Sequence, residues 1–187
     1  EGHKAREIKE IRKGDTIIEK YEIKWASNGV KYLERFWDKN GKCGIHKTWY
    51  ENGQQRDVIP FKDGKAEGTL TRWDENGQKY HEGYNKDGKA EALSTDWYEN
   101  GQKESEQCMK DNEPDGLWTY WYDNGQKKSE EHYKDGKRNG LCTWWYENGQ
   151  KECEGFYKGG KLDGLWTVWS AIGDRIDERH FVDGKEQ

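Results

Sequence analysis

The chain has 187 residues and a formal net charge of −5, and 37% of its residues are charged whereas only 30% are hydrophobic. This balance is typical of disorder, but eleven Trp and eleven Tyr argue for a folded chain, since disordered segments are poor in aromatic residues. The 32 basic residues are mixed with 37 acidic ones and form no basic stripe, which excludes nucleic acid as an expected partner. No apolar run approaches the roughly 18 residues of a membrane-spanning segment.

Residues 1–24 precede the regular part of the chain and predict an N-terminal cap. The segment EIKEIRKGDTIIEKYEIKW alternates polar and apolar residues on both sides of Lys13-Gly14, as two strands joined by a turn do. We therefore expect two regions, with capping strands at residues 1–24 and a repeat array at residues 25–187.

From residue 25 onward the sequence repeats with a period of 24 residues. Seven Trp residues keep this step: Trp25, Trp49, Trp73, Trp97, Trp121, Trp145 and Trp169. Two sets of glycines keep the same step. The glycines of one set end Asn-Gly pairs: Gly53, Gly77, Gly101, Gly125 and Gly149. The second set is Gly44, Gly68, Gly116, Gly140 and Gly164, and Ala92 occupies the remaining position of that set. Such a period is typical of a repeat array, in which each unit packs only against its neighbours.

Each repeat is predicted to form a β-hairpin. Asn-Gly between two alternating runs indicates a tight turn, and we expect a type I′ turn, in which both central residues have positive φ. A second turn, Lys-Asp-Gly-Lys or a relative of it, follows eleven residues later. The predicted fold is all-β: an elongated, single-layer antiparallel β-hairpin meander of 24-residue repeats with about 14 strands.

A two-residue Asn-Gly loop fixes the register of each predicted hairpin. It places Gly116 opposite Tyr133 and Gly140 opposite Tyr157. We expect each ring to lie over the glycine that it faces, an arrangement that holds register in sheets.

The register also divides each hairpin into two faces. One face, which we call the uniform face, carries the same residues in each repeat, as in Leu117, Thr119 and Trp121, and is expected to be a structural ladder of stacked Leu and Trp. The other, the variable face, changes from repeat to repeat and is rich in aromatic residues. A regular scaffold with one variable face is how repeat proteins present a binding surface, although these rings could equally do no more than cover the sheet. The expected partner-binding residues are Trp118, Tyr120, Tyr122, Trp144, Tyr146 and Trp166.

Two segments carry a resemblance to a known family. GLWTYWYDNGQKKSEEHYKDGKRNG and GLCTWWYENGQKECEGFYKGGKLDG resemble MORN repeats, the membrane occupation and recognition nexus motif. They are closer still to the bacterial variant of this repeat found in YwqK-like antitoxin or immunity proteins. The resemblance covers residues 25–185 and weakens in the first and last repeats, as in terminal capping units. It implies a sheet of hairpins used for protein contacts, with lipid binding sometimes proposed, and it does not imply an enzyme.

The residue types that carry catalysis or bind metals show no suitable pattern. The four cysteines, Cys43, Cys108, Cys142 and Cys153, have no C-x-x-C spacing and the five His are scattered singly, so we expect free thiols and no metal site. No glycine-rich phosphate-binding loop is present, and no cofactor is expected.

Three classes of function remain open at this stage. The leading hypothesis is a non-catalytic protein-interaction module, with a toxin as one candidate partner. The alternative is recognition of a cationic group such as choline by aromatic hairpins. A membrane surface is disfavoured, because a net charge of −5 gives no attraction to anionic lipid.

The cellular location stays open. The chain starts at Glu1 rather than Met. A removed signal peptide and a deliberate truncation give the same start, and we expect the cell envelope in preference to the cytoplasm.

Overall fold

The computed structural model describes residues 5–38 and 43–187, without the side chains of residues 16–18 and Cys43. The free thiol expected at Cys43 therefore lies outside the described side chains. The described chain is all-β with antiparallel strand pairs, and it divides into two compact units, residues 1–90 and 91–187. This confirms the predicted fold class of antiparallel hairpin repeats.

The first unit is a meander in which each long strand pairs with the next long strand along the chain, and a two-residue strand at Lys65–Ala66 pairs with the strand before it. Two strands form in the N-terminal segment, as the alternation there predicts. The strands are β1 (Arg6–Lys13), β2 (Thr16–Trp25), β3 (Lys31–Asp38), β4 (Cys43–Trp49), β5 (Gln55–Lys62), β6 (Lys65–Ala66), β7 (Gly68–Trp73) and β8 (Lys79–Lys86).

The second unit continues the same pattern of consecutive antiparallel pairs. Strand β9 begins just before the boundary between the units. The strands are β9 (Lys89–Trp97), β10 (Lys103–Lys110), β11 (Glu113–Trp121), β12 (Lys127–Lys134), β13 (Lys137–Arg138), β14 (Gly140–Trp145), β15 (Lys151–Lys158), β16 (Lys161–Trp169), β17 (Arg175–Val182) and β18 (Lys185–Glu186). The described residues thus form more strands than expected, because single residues separate β6 from β7 and β13 from β14, and β18 is a short addition.

The Asn-Gly turns are three-residue loops and not the type I′ turns expected from the sequence. At Asn124-Gly125 only the glycine has positive φ, at 84°. The Gly125 N–H donates to the Tyr122 carbonyl at 2.9 Å, and the Tyr122 N–H donates to the Gln126 carbonyl at 2.8 Å. This is the pattern of a type I turn followed by a glycine in the left-handed region.

The expected strand register is nonetheless confirmed, because a second irregularity offsets the longer loop. Strand β12 contains Lys128 as an extra residue next to Ser129, which pairs with Tyr120. Beyond this bulge, Gly116 lies opposite Tyr133 as predicted. The two one-residue changes cancel, so the faces of the strands are those that the sequence indicates.

The type I′ conformation occurs instead at the second turn of each repeat. At Asp135-Gly136 both residues have positive φ, 48° and 75°, and Lys134 pairs with Lys137 across the two-residue loop. Aspartate tolerates the left-handed region because its short side chain can hydrogen-bond to the local backbone. Both residues also have positive φ at Asp63-Gly64, Asp87-Gly88, Asp111-Asn112, Gly159-Gly160 and Asp183-Gly184.

The backbone and the preceding strand, rather than an overlying Tyr133 ring, explain the glycine at position 116. Gly116 has a φ of 116°, which side chains disfavour. A Cβ at this position would lie 2.8 Å from the Cβ of Cys108, and no atom of Tyr133 lies within 4 Å of it. A ring does come this close at Gly44, but it belongs to Phe36. The expected stacking of rings on glycines is therefore wrong, although the register derived with it is right.

Ala92 occupies the same position in its repeat and has a φ of 62°. A left-handed conformation costs an L-residue about 1–2 kcal/mol, and glycine avoids this cost. Glycine also gives the unfolded chain more conformational freedom, which cancels part of that gain in stability. We therefore expect Ala92→Gly to raise the free energy of unfolding by about 0.5–1 kcal/mol, measured as a higher urea midpoint at unchanged slope. The control, Ala66→Gly on β6, lacks positive φ and should lose stability; equal effects of the two changes would contradict this explanation.

The described residues bury few apolar side chains. Leu33 and Cys142 are the buried hydrophobic residues, and the other buried side chains are small or polar: Glu22, Thr95, Ser105, Thr119, Ser129, Glu131, Thr143 and Thr167. Each unit is a single layer, so nothing covers either face completely. Stability must come from contacts along the sheet and not from an interior.

The uniform face, expected to be a structural ladder of stacked Leu and Trp, does not bury its leucines. Its leucines are 39–49% exposed: Leu93, Leu117, Leu141 and Leu165. The Trp residues of this face are covered by cations, as where Lys151 Nζ lies 5.4 Å from the Trp169 ring and 2.6 Å from Glu154 Oε2. Ion pairs and cation–π contacts at exposed sites contribute at most about 1 kcal/mol each.

Side-chain hydrogen bonds join successive hairpins at the Asn-Gly turns, and we call them staples. The Tyr122 hydroxyl donates to the Trp145 carbonyl at 2.8 Å, and Asn124 Nδ2 donates to the Glu147 carbonyl at 3.0 Å. Each donor lies 23 residues before its acceptor. The same Tyr staple is made by Tyr50, Tyr98 and Tyr146, and the same Asn staple by Asn52, Asn100 and Asn148.

Candidate functional site

Six aromatic rings of the second unit lie together on the variable face, on strands β11, β12 and β14 to β16. The Trp118 ring is 4.9 Å from the Tyr133 ring, and the Trp144 ring is 5.8 Å from the Trp166 ring. We call this set the aromatic face; its members are Trp118, Tyr120, Tyr133, Trp144, Tyr157 and Trp166. Four of the six residues expected from the sequence belong to it.

The other two expected residues, Tyr122 and Tyr146, lie at the ends of their hairpins. Both hydroxyls donate staples, to the carbonyls of Trp145 and Trp169 at 2.8 and 3.0 Å. Their rings are half-buried against the next hairpin. These two tyrosines therefore hold the array together, a role that sequence reasoning missed.

Two indoles of the aromatic face are held in place, one by a hydrogen bond and the other by a close fit against a glycine. Trp118 Nε1 donates to the Cys108 carbonyl at 2.8 Å. Trp166 pairs with the buried Gly155, whose missing side chain leaves room for the indole. Rings held in one orientation lose little entropy when a partner binds.

A buried carboxylate and a cation lie within the aromatic face, and neither was expected. Glu131 has only 7% of its side chain exposed, and its Oε2 accepts from Arg138 Nε at 2.7 Å and from the Tyr133 hydroxyl at 2.8 Å. The Arg138 guanidinium lies 5.4 Å from the Trp144 ring and 5.6 Å from the Tyr157 ring. The pair links the two groups of rings through hydrogen bonds and cation–π contacts.

A signal for this pair was present in the sequence. One period before and one after Glu131 stand Gln107 and Gly155, and the same positions around Arg138 hold Pro114 and Leu162. The two residues thus depart from their repeat positions in the same repeat and with opposite charges. A comparison of repeats for paired departures, rather than for shared residues, would have found them.

Burial keeps the phenol and thiol groups of this face protonated at neutral pH. Burial and the hydrogen bond to Glu131 raise the pKa of Tyr133 to about 12, so its hydroxyl remains a donor. Burial raises the pKa of Cys153 to about 11 and also raises that of Cys142. Both are free, as is Cys108, and protonated thiols are poor nucleophiles.

Within residues 5–38 and 43–187, no His, Cys, Asp and Glu side chains form a group that could hold a metal ion. The described part of the chain also contains no helix with the length and apolar character needed to cross a membrane.

The repeat pattern agrees with a known family model over part of the chain. No curated protein matches the sequence. The family match indicates a non-catalytic repeat module, and its segments include five of the six rings of the aromatic face, Trp166 being the exception. The segments that match the model of the MORN repeat variant are residues 42–63, 90–111, 114–135 and 138–158.

Proposed function

We propose that the chain is a non-catalytic protein-binding repeat module whose partner docks on the aromatic face. The observation that carries this proposal is a set of six half-buried rings on one face, two of which lie against a cation that the chain itself holds in place. Trp, Tyr and Arg dominate measured binding hot spots, because they supply large, rigid contact areas. Here all three residue types meet within a few strands.

The internal cation favours a protein partner over a small cationic ligand. A group such as choline would need a vacant pair of rings to lie against. Arg138 already lies against Trp144 and Tyr157, and Glu131 neutralises it. Because the two charges cancel and the rings extend from β11 to β16, the face suits an extended protein surface better than a single cation.

The nature of the partner follows from the resemblance alone. Similarity to YwqK-like antitoxin or immunity proteins suggests a toxin as the protein that docks on this face. Binding would then inhibit the toxin by covering a surface that it needs.

Replacing Tyr120 and Trp144 together by Ser is expected to lower partner affinity by about 100-fold or more, because two hot-spot rings cost about 2 kcal/mol each. The partner would be captured from the source cells, identified, purified and titrated against both proteins. Circular dichroism should show an unchanged β-sheet signal in the variant.

The matched control replaces two apolar residues of the opposite face, Leu117 and Leu141, by Ser. They are 39% and 48% exposed, so their replacement removes a similar amount of accessible apolar surface. We expect partner affinity to be retained. Loss of affinity in this control, with retention in the Tyr120/Trp144 variant, would place the docking surface on the uniform face instead.

A further inference from the structure

Strands β1, β2 and β3 of the first unit bring an unusual set of residues to one face. Alternate residues of each strand point the same way, so cross-strand pairs form rows on that face. Ile8 pairs with Glu22, which in turn pairs with Arg35. The neighbouring rows pair Arg6 with Lys24 and Lys20 with Trp37. Together these residues line a depression of about 450 Å³.

A buried carboxylate organises the cations of this depression. Glu22 has only 4% of its side chain exposed, and its oxygens lie 2.7 Å from Arg6 Nε, 3.6 Å from Lys24 Nζ and 4.0 Å from Arg35 Nη1. Burial opposes its ionisation, but the hydrogen bond from Arg6 and the nearby charges hold the pKa of Glu22 below its usual value. A single carboxylate therefore gathers three cations without neutralising all of them.

The lining has a clear excess of positive charge. Four cations, Arg6, Lys20, Lys24 and Arg35, face one carboxylate, so three positive charges remain beyond the one that Glu22 neutralises. Lys20 also lies 3.8 Å from Glu10 outside the lining, but Glu10 is itself bound by Arg12 at 2.6 Å. In a chain whose net charge is −5, this local excess attracts an anion.

We propose that this depression binds a small phosphate-bearing ligand with a planar ring, such as a nucleoside phosphate. Guanidinium groups match phosphate oxygens with paired hydrogen bonds, and Arg6 and Arg35 approach from different strands. Trp37 and Ile8 add an apolar wall against which a ring can pack. The volume falls within the range of small-molecule sites.

The site belongs to this chain and not to its repeats. Residues 6–37 lie outside the four segments that match the MORN repeat variant. The site binds phosphate through side chains on three strands and not through a glycine-rich loop. Because these side chains are far apart in the sequence, no linear motif identifies the site. It lies in the other unit from the aromatic face and does not depend on the protein-binding proposal.

Calorimetric titration of the full chain with ADP, pyrophosphate and adenosine tests the proposal. We expect ADP to bind more tightly than pyrophosphate, and adenosine to bind most weakly. Arg35→Gln should weaken both phosphate ligands about tenfold or more, because it removes one guanidinium fork. The control Arg175→Gln removes the same charge from β17 in the second unit and should change neither affinity.

Two further variants separate the parts of the site. Trp37→Leu should weaken ADP while leaving pyrophosphate unchanged, since only ADP carries a ring. Arg6→Gln, at a side chain that is 59% exposed, should reproduce the loss seen at Arg35 if Arg35→Gln proves unstable. The Tyr120→Ser/Trp144→Ser variant should keep its ADP affinity.

Three outcomes would overturn the proposal. One is the absence of ADP and pyrophosphate binding to the wild-type chain. Another is an equal loss of ADP and pyrophosphate affinity in Arg35→Gln and Arg175→Gln, which would show that the affinity depends on the net charge of the chain and not on this depression. The third is binding to phosphatidylcholine vesicles containing phosphatidic acid without binding to either soluble phosphate, which would assign the depression to a lipid headgroup.

Discussion

Replacing Arg138 by Leu is expected to lower the free energy of unfolding by about 2–3 kcal/mol at neutral pH. The change leaves the Glu131 side chain 93% covered, with hydrogen bonds from Tyr133 and Ser129 but without the cation that pairs with it. Removing one partner of a fully buried ion pair costs about 3–5 kcal/mol. The expected loss is smaller because Arg138 is itself 38% exposed and is partly solvated in the native protein. Urea denaturation followed by Trp fluorescence measures it.

The double variant Glu131→Leu/Arg138→Leu distinguishes an unpaired charge from lost packing. Replacing both members of a buried pair by apolar residues is often nearly neutral. We therefore expect the double variant to recover at least half of the stability lost in Arg138→Leu. Additive losses would show that the two residues act independently.

Gly155→Ala is expected to destabilise the chain by about 1–3 kcal/mol through overpacking. A Cβ at Gly155 would lie 2.5 Å from Trp166 Cε3 and 3.1 Å from Leu162 Cδ2. The backbone φ of Gly155 is not in the left-handed region, so steric overlap and not strain in φ sets the cost. The same change should displace the Trp166 indole and weaken partner binding. Thermal unfolding and partner titration would measure the two effects.

Combining Gly155→Ala with Trp166→Leu provides the control. Leucine has no ring atom at the position of the overlap, so the combined variant should be more stable than Gly155→Ala alone. Partner affinity should stay low, because the ring is gone. If the added Leu brings no recovery, contact with Trp166 is not the source of the strain.

The sequence predicts the hairpins and their register well, but not the type of their turns. The same Asn-Gly pair serves a type I′ turn and a type I turn closed by a glycine. The extra residue at Lys128 then restores the pairing of Gly116 with Tyr133, so register cannot distinguish the two loops. The prediction was right about the strands while the loop that it assumed was wrong.

The candidate site was only partly predictable, for two physical reasons. Alternation within a strand places Trp118 and Trp144 on one face, but the reach of the Tyr122 hydroxyl depends on the spacing between hairpins, which one repeat does not show. The repetition of Leu117 and its equivalents predicts a structural ladder on the uniform face, but burial of these leucines would need a second layer of protein against that face. A single-layer sheet has none, and Leu117 is 39% exposed.

The staples set a rule for how this chain can change length. A donor such as Tyr98 bonds a carbonyl 23 residues later, and Tyr122 does the same one period on. Recombination between repeated coding segments that removes or adds one whole period inside the second unit therefore gives every remaining donor an equivalent acceptor. A deletion one residue shorter would turn each following side chain to the opposite face and misplace the staples at the junction. Selection on such chains should tolerate hairpins gained or lost as whole units and reject changes of intermediate length.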